Sequence, residues 1–283
     1  MSRVLFPALA AAFGLSACAT AGPPPADPYL DAYVAAEAAA TPFAPITDTR
    51  PDVTLADAYR LQDGLIARRR AAGDRVAGYR GGLMSQASMK GRGVTAPLVG
   101  VLFASGRTES GQRFDLCSYR RPIVELKLGF VFGKRLTAAP ADLDAIKAAV
   151  GEVVPVVDLP DIAYRDPDKY GAADMIAANI TAARWVRGKG HAPDLDLDAL
   201  KVSITHNDQP VAAGVGRDSF DGQWQGLLEV VRQIVAQGRT ISPGDVVLTG
   251  RMGPRPWLPP GAYLANYGPL GTVAFQVDAC PTR

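Results

Sequence analysis

The sequence predicts a mixed α/β fold with much antiparallel pairing. Short apolar runs split by Gly and Pro dominate its second half, as in "PGDVVLTG", "GAYLANYG" and "GTVAFQVD". Few segments carry helical periodicity, and they do not alternate with strands as a doubly wound sheet requires. "ALKVSITHNDQPVAAGVG" reads as a hairpin turning at Asn207-Asp208.

The elements follow in order. "TLADAYRLQDGLIARRRAAGDR" predicts a helix. Thr54 caps it, Asp57 sits in the first turn, Leu55, Ala58, Leu61, Leu65 and Ile66 form the apolar face, and Gly73 ends it. "RVAGYRGGLMS" reads as a strand entering a loop. "APLVGVLFAS" and "IVELKLGFVFG" are strand-like, "PADLDAIKAAVG" is a short helix, and "EVVPVVDLP" is a further strand. "AADMIAANITAARWVRG" is expected to begin helical and end near Gly188. "GQWQGLLEVVRQIVAQGR" is the clearest late helix, with Trp224, Leu227, Leu228, Val231, Ile234 and Val235 on its apolar side.

One strand raises a question of charge. In "RRPIVELKLGFVF", Glu125 and Lys127 are two residues apart, so both point to the same face. Either that face meets water, or the pair belongs to a charged site inside the fold.

The first residues read as a leader. Arg3 precedes an apolar run from Val4 to Leu15, too short for an ordinary transmembrane helix. "LSAC" matches a bacterial lipobox, which makes Cys18 the lipidated N-terminus of the mature chain. The organisation expected is therefore a signal peptide over 1–18, a Pro/Ala-rich tether over 19–28, a helical annex over 29–75 and the main domain over 76–283. Ala19 follows the cysteine where an inner-membrane retention signal carries Asp. The expected address is the bacterial envelope, as an outer-membrane lipoprotein facing the periplasm, with the lipid as membrane partner.

Composition excludes several function classes. Hydrophobic residues make up 48% of the chain, enough for a substantial core. The net charge of +2, with scattered Lys and Arg, argues against nucleic acid as a partner. The two histidines, His191 and His206, sit in no nucleophile or zinc motif. With Cys18 lipidated, Cys117 and Cys280 remain as an even pair in an oxidising compartment and are the disulfide candidates.

Several segments together resemble the fumarylacetoacetate hydrolase superfamily, most closely its branch of 2-keto-4-pentenoate hydratases, 2-oxo-heptenedioate hydratases and 4-oxalocrotonate decarboxylases. They are "LADAYRLQ", "GYRGGLMS", "PLVGVLFA", "PIVELKLGFVF", "VVPVVDLPD", "DMIAANITAARWVRG", "VAAGVG" and "ISPGDVVLTGRMGP", in that order from about Val53 to the end. The resemblance implies a rolled, mostly antiparallel β-structure with surrounding helices and a helical N-terminal annex. It implies a small unsaturated 2-oxo acid as ligand and leaves self-association into a homo-oligomer open. It also implies magnesium or manganese, held by a Glu-x-Glu pair and a later carboxylate, because a hard cation stabilises the enolate oxygen of such a ligand.

The chain departs from this pattern at the metal. Glu125 matches the first ligand and Asp158, 33 residues on, the third, but Lys127 stands at the second. A protonated lysine has three donors and no acceptor, so a site without metal is set against the family expectation. Further departures are Arg80 for the family lysine, Met84 for a threonine, Ala178 for an acid and Ala262 for an aspartate. Together they are expected to strip polar chemistry from one pocket. Lys127 then reads as a built-in cation lying between Glu125 and Asp158. The catalytic candidates are Glu125, Lys127, Asp158 and Arg80, and the expected substrate contacts are Arg80, Leu83, Ser85, Asn179 and Thr249. Two functions follow: a hydratase-like enzyme of the hydro-lyase type, or a metal-free lipoprotein that binds a small carboxylate without turning it over.

Overall fold

The computed structural model of the protein describes residues 26–281; the predicted leader, Cys18 and most of the tether lie outside them. Helix α1 (Pro28–Ala38) is started by the Asp27 carboxylate, which accepts from the Tyr29 and Leu30 amides. Helix α2 (Leu55–Ala71) has the capping box its sequence announces, Thr54 and Asp57 satisfying each other's amides. Ion pairs Arg68–Asp31 and Arg69–Glu37 tie the two helices together.

The body follows as β1 (Val76–Gly82), α3 (Gln86–Gly91), β2 (Leu98–Phe103), β3 (Arg107–Glu109), β4 (Arg113–Asp115) and β5 (Glu125–Phe132). Next come α4 (Leu143–Lys147), β6 (Val150–Leu159), α5 (Ala172–Ala177), β7 (Arg184–Arg187), β8 (Lys201–His206) and β9 (Gln209–Val215). The chain closes with α6 (Gln223–Ala236), β10 (Val246–Leu248), β11 (Gly261–Asn266) and β12 (Thr272–Asp278). One sheet has seven strands in the order β2-β1-β10-β5-β6-β7-β3, and the other has five in the order β4-β12-β11-β8-β9. All neighbours are antiparallel except β1–β10, β3–β7 and β4–β12.

The larger sheet curls. Leu102 of β2, Val154 and Val156 of β6, Trp185 of β7, and Val246 and Leu248 of β10 form one buried cluster, although several of these strands are not neighbours. Gly129 of β5 faces the same space. A Cβ there would come within 2.8 Å of Val154, 2.9 Å of Val246 and 3.1 Å of Leu248, so only glycine leaves room for the inner layer. On the outer face Phe130 packs against Trp224 of α6 at 5.0 Å between ring centres.

The annex helices dock into this body. The buried Gln62 side chain of α2 donates to the carbonyls of Val99 and Ile176 at 3.0 and 3.1 Å, and the Tyr59 hydroxyl accepts from the Val99 amide. Residues of α1 and α2 therefore share one apolar core with the sheet. The β8–β9 hairpin turns at Asn207 and Asp208, both left-handed with φ of 48° and 63°, as a two-residue type I′ turn requires. Cys117 and Cys280 are joined by a disulfide with Cα atoms 4.8 Å apart, alongside the parallel β4–β12 pair.

One element departs from expectation. The segment "AADMIAANITAARWVRG" is not a helix running toward Gly188; α5 stops at Ala177, and Arg184–Arg187 is a strand. Between them Asn179, Ile180 and Thr181 adopt φ of 52°, 50° and 53°. Left-handed backbone costs about 1–2 kcal/mol per residue with a Cβ, so something outside the segment must hold it. The Asn179 side chain does so, accepting from the Val101 amide at 2.7 Å and donating to the Val101 carbonyl at 2.9 Å.

Candidate active site

Three strands deliver four charged side chains to one point. In the β5–β6 ladder Glu125 lies opposite Asp158, so the two carboxylates share a face, with Lys127 on that face two residues further along β5. Arg80 comes from β1, two strands away from β5, and lies level with Leu248, the last residue of the short β10 between them. Residue exposures of 3% for Arg80, 8% for Glu125, 2% for Lys127 and 1% for Asp158 exclude a water-facing strand.

The cluster is a closed quartet. Lys127 Nζ lies 3.2 Å from Glu125 Oε2 and 3.1 Å from Asp158 Oδ2. Arg80 Nη2 lies 3.0 and 2.8 Å from the same two oxygens. Two cations thus straddle two anions, and the formal charges cancel. Lys127 Nζ also donates to the Gly81 carbonyl at 3.4 Å, and Arg80 Nη1 donates to the Ile180 carbonyl at 2.8 Å. The left-handed turn at Asn179–Thr181 therefore aims a carbonyl at Arg80, which gives its strain a local purpose. The contacts to Asp158 are ion pairs off the hydrogen-bonding directions, and among the described residues neither carboxylate oxygen of Asp158 has a hydrogen-bond partner. Burial pushes the Glu125 carboxyl up. The Lys127 ammonium and Arg80 guanidinium, with a smaller effect of Arg255, outweigh it and hold the group below the usual carboxylate range.

Arg80, Glu125 and Lys127 form the floor of a cavity of about 600 Å³, and Asp158 lies behind them, outside the lining. Leu83 and Ser85 also line it, although the Ser85 hydroxyl is engaged in capping α3 with Ser88. Asn179 and Thr249, expected as substrate contacts, are not among the lining residues. The Asn179 amide is consumed by Val101, and the buried Thr249 hydroxyl lies 2.6 Å from Gln223 Oε1. Of the four further departures, only Arg80 and Met84 line the cavity. Ala178 is buried, and Ala262 lies on β11, its amide bonded to Asn207 Oδ1, so the expectation of one stripped pocket is corrected to two positions. His191 and His206 also lie outside the lining.

Sequence reasoning missed the rest of the wall. Arg92, Arg251 and Arg255 line the cavity nearer the surface, with Asp218 as their acidic neighbour. Arg92 stacks on Tyr170, 4.4 Å from its ring centre, and donates to the Tyr170 carbonyl. Tyr170 in turn stacks on Tyr164 at 4.4 Å. Arg251 and Arg255 lie in the Pro-rich segment after β10, where their charge was legible but their direction was not.

The donor set does not fit a divalent ion. Magnesium needs oxygen ligands in near-octahedral array. Here the two carboxylate oxygens that face each other already hold Nζ and Nη2, and the position between them is nitrogen. Among the described residues no group of three or more His, Cys, Asp or Glu side chains could hold a metal ion.

The chain is 31% identical to a 4-oxalocrotonate decarboxylase from Pseudomonas sp over 225 residues, covering 79% of this chain and 87% of that relative. It is also 31% identical to a 2-keto-4-pentenoate hydratase from Burkholderia vietnamiensis over 243 residues, 84% of this chain and 92% of the relative. The chain belongs to the 2-keto-4-pentenoate hydratase and 4-oxalocrotonate decarboxylase family. No protein-family model matches it. The solved 4-oxalocrotonate decarboxylase from Pseudomonas putida G7, complexed with magnesium and adipate, superposes with a TM-score of 0.84 at 24% identity, covering 88% of this chain and 96% of that one. A fumarylacetoacetate hydrolase family protein from Yersinia pestis superposes at a TM-score of 0.54, covering 71% of this chain. The hydratase and decarboxylase family thus supplies the mixed α/β fold with its curled, antiparallel-rich sheets.

Proposed function

We propose that the protein takes a small unsaturated 2-oxo acid into the cavity above the quartet and performs hydratase-type chemistry on it without a divalent ion. One observation carries this reading: Lys127 Nζ and Arg80 Nη2 both sit on Glu125 Oε2 and Asp158 Oδ2. A cation is thereby built into the chain where the family's ligand pattern places a metal.

The wall supports an anionic ligand. With the quartet neutral, Arg92, Arg251 and Arg255 outnumber Asp218 among the remaining charged lining residues, and a guanidinium grips a carboxylate by two parallel hydrogen bonds. Glu125 is the quartet carboxylate that lines the cavity and is held below the usual carboxylate range, which suits it to accept a proton from a bound ligand. A second reading, a binder of small carboxylates without turnover, is favoured by the same ion pairs, since they engage both acids. We further propose that the protein is held at the bacterial envelope by lipid on Cys18.

The test is metal analysis of the purified protein beside an assay on 2-hydroxypentadienoate with and without EDTA. Turnover that survives EDTA in metal-free protein supports the enzyme reading. Stoichiometric magnesium, with activity lost to EDTA, overturns it. Ligand binding with no turnover in either condition selects the binder.

A further inference from the structure

Among the described residues that line the cavity, Lys127 is the one lysine. Its ammonium group is held by three oxygens: the Glu125 and Asp158 carboxylates and, at 3.4 Å, the Gly81 carbonyl. These three oxygens match the three donors of an ammonium, and Arg80 pairs with both carboxylates as well. Lys127 also lines the cavity assigned above to the ligand, which puts a primary amine beside a 2-oxo acid held there. Amines condense with such carbonyls, and lysines that do so sit beside groups able to take and return protons.

We propose that Lys127 forms an imine with the keto carbon of its 2-oxo acid ligand, and that the iminium does the work a divalent ion would do by polarisation. This rests on the metal-free reading above and goes beyond it by naming a covalent step. Lys127 Nζ passes a proton to the cavity-lining Glu125 Oε2, 3.2 Å away. The nitrogen lone pair then forms the N–C2 bond while the C2–O π pair moves to oxygen, which takes up that proton to give a carbinolamine. A second nitrogen proton travels by the same carboxylate to the hydroxyl, the C2–O bond breaks, and water leaves. The nitrogen lone pair closes the C=N bond. The balance is an ammonium and a ketone in, an iminium and one water out, with Glu125 returned to its carboxylate and no oxidant or reductant involved.

The quartet suits this step for two reasons. The iminium carries the same charge at the same nitrogen as the ammonium, so the two carboxylates stabilise product as they stabilise reactant. Arg80 stays on both carboxylates throughout, so the proton leaving Lys127 does not strip them of a cation. Once formed, the iminium draws the electron pair of an adjacent C–H or C–C bond onto nitrogen as an enamine, which is the electron demand of hydration and decarboxylation at such acids.

The test uses 2-oxopentanoate with sodium cyanoborohydride in EDTA, followed by peptide mapping by mass spectrometry, with calorimetry of 2-oxopentanoate alone in parallel. The expected result is a reduced secondary-amine adduct at Lys127, with exposed Lys169 at background and no adduct from 2-hydroxypentanoate. Lys127→Arg keeps the charge and is expected to abolish the adduct. If that variant does not fold, the location of the adduct in the parent decides alone. Saturable binding of 2-oxopentanoate without an adduct at Lys127 overturns the imine and leaves the metal-free reading standing. Binding that arises only with magnesium, or not at all, overturns both.

Discussion

Replacing Lys127 with glutamate turns a neutral quartet into a cluster with two net negative charges. In the folded protein Glu125 Oε2 and Asp158 Oδ2 would keep only Arg80, and the introduced carboxylate would lie near the positions now 3.2 and 3.1 Å from Nζ. Removing one partner from a buried ion-pair network costs about 3–5 kcal/mol. New like charges about 4 Å apart add repulsion of the same order at an effective dielectric near 20. For a chain of this size about 1 kcal/mol shifts the midpoint by roughly 2–4 °C, so the combined loss of about 6–10 kcal/mol is expected to lower the midpoint of Lys127→Glu in EDTA by roughly 12–40 °C. The three carboxylates now resemble a divalent site. Magnesium at about a hundred times its dissociation constant would return about 2.7 kcal/mol, or roughly 5–10 °C. Differential scanning fluorimetry with EDTA and with magnesium reads both effects. A variant as stable as the parent in EDTA, or a parent that gains as much from magnesium as the variant, refutes the reasoning.

The remaining predictions concern titration and covalent links. Glu125, held below its ordinary range by Lys127 and Arg80 against the effect of burial, binds fewer protons folded than unfolded. Its contribution is therefore present above about pH 4.3 and lost as pH falls through the lower folded value, so the parent's midpoint should drop more steeply on acidification than that of Glu125→Gln; parallel curves contradict this. Reducing the Cys117–Cys280 bridge, which spans 163 residues of sequence, is expected to cost about 2–5 kcal/mol in denaturant titrations; two free thiols titrated in unreduced protein would remove the premise. Cys18→Ser is expected to abolish lipidation, and a variant that still partitions with membranes through its N-terminus contradicts the lipobox reading.

Much of the fold was legible because local signals and burial agree. Thr54 with Asp57 gave the start of α2, the Asn207-Asp208 pair gave the β8–β9 turn, and period-two apolar runs gave β5 and β6. The segment after α5 was not legible, because nothing local to Ile180 and Thr181 favours left-handed backbone. The cause is Asn179 bonding to Val101, 78 residues away in sequence. The same holds for the candidate site. The shared face of Glu125 and Lys127 follows from strand period alone. That Arg80 reaches the same two oxygens depends on strand order, with β10 interposed between β1 and β5 though it lies more than a hundred residues later in the sequence. Polar residue type misled at Asn179 and Thr249, whose side chains are spent on backbone and neighbouring groups.

The central claim is that Lys127 and Arg80 occupy the place of a metal, and calorimetric titration of magnesium into the EDTA-treated, dialysed protein tests it most directly. The account predicts no saturable heat at millimolar magnesium for the parent and a saturable isotherm for Lys127→Glu. Stoichiometric, tight binding by the parent that is lost in Glu125→Gln would contradict it.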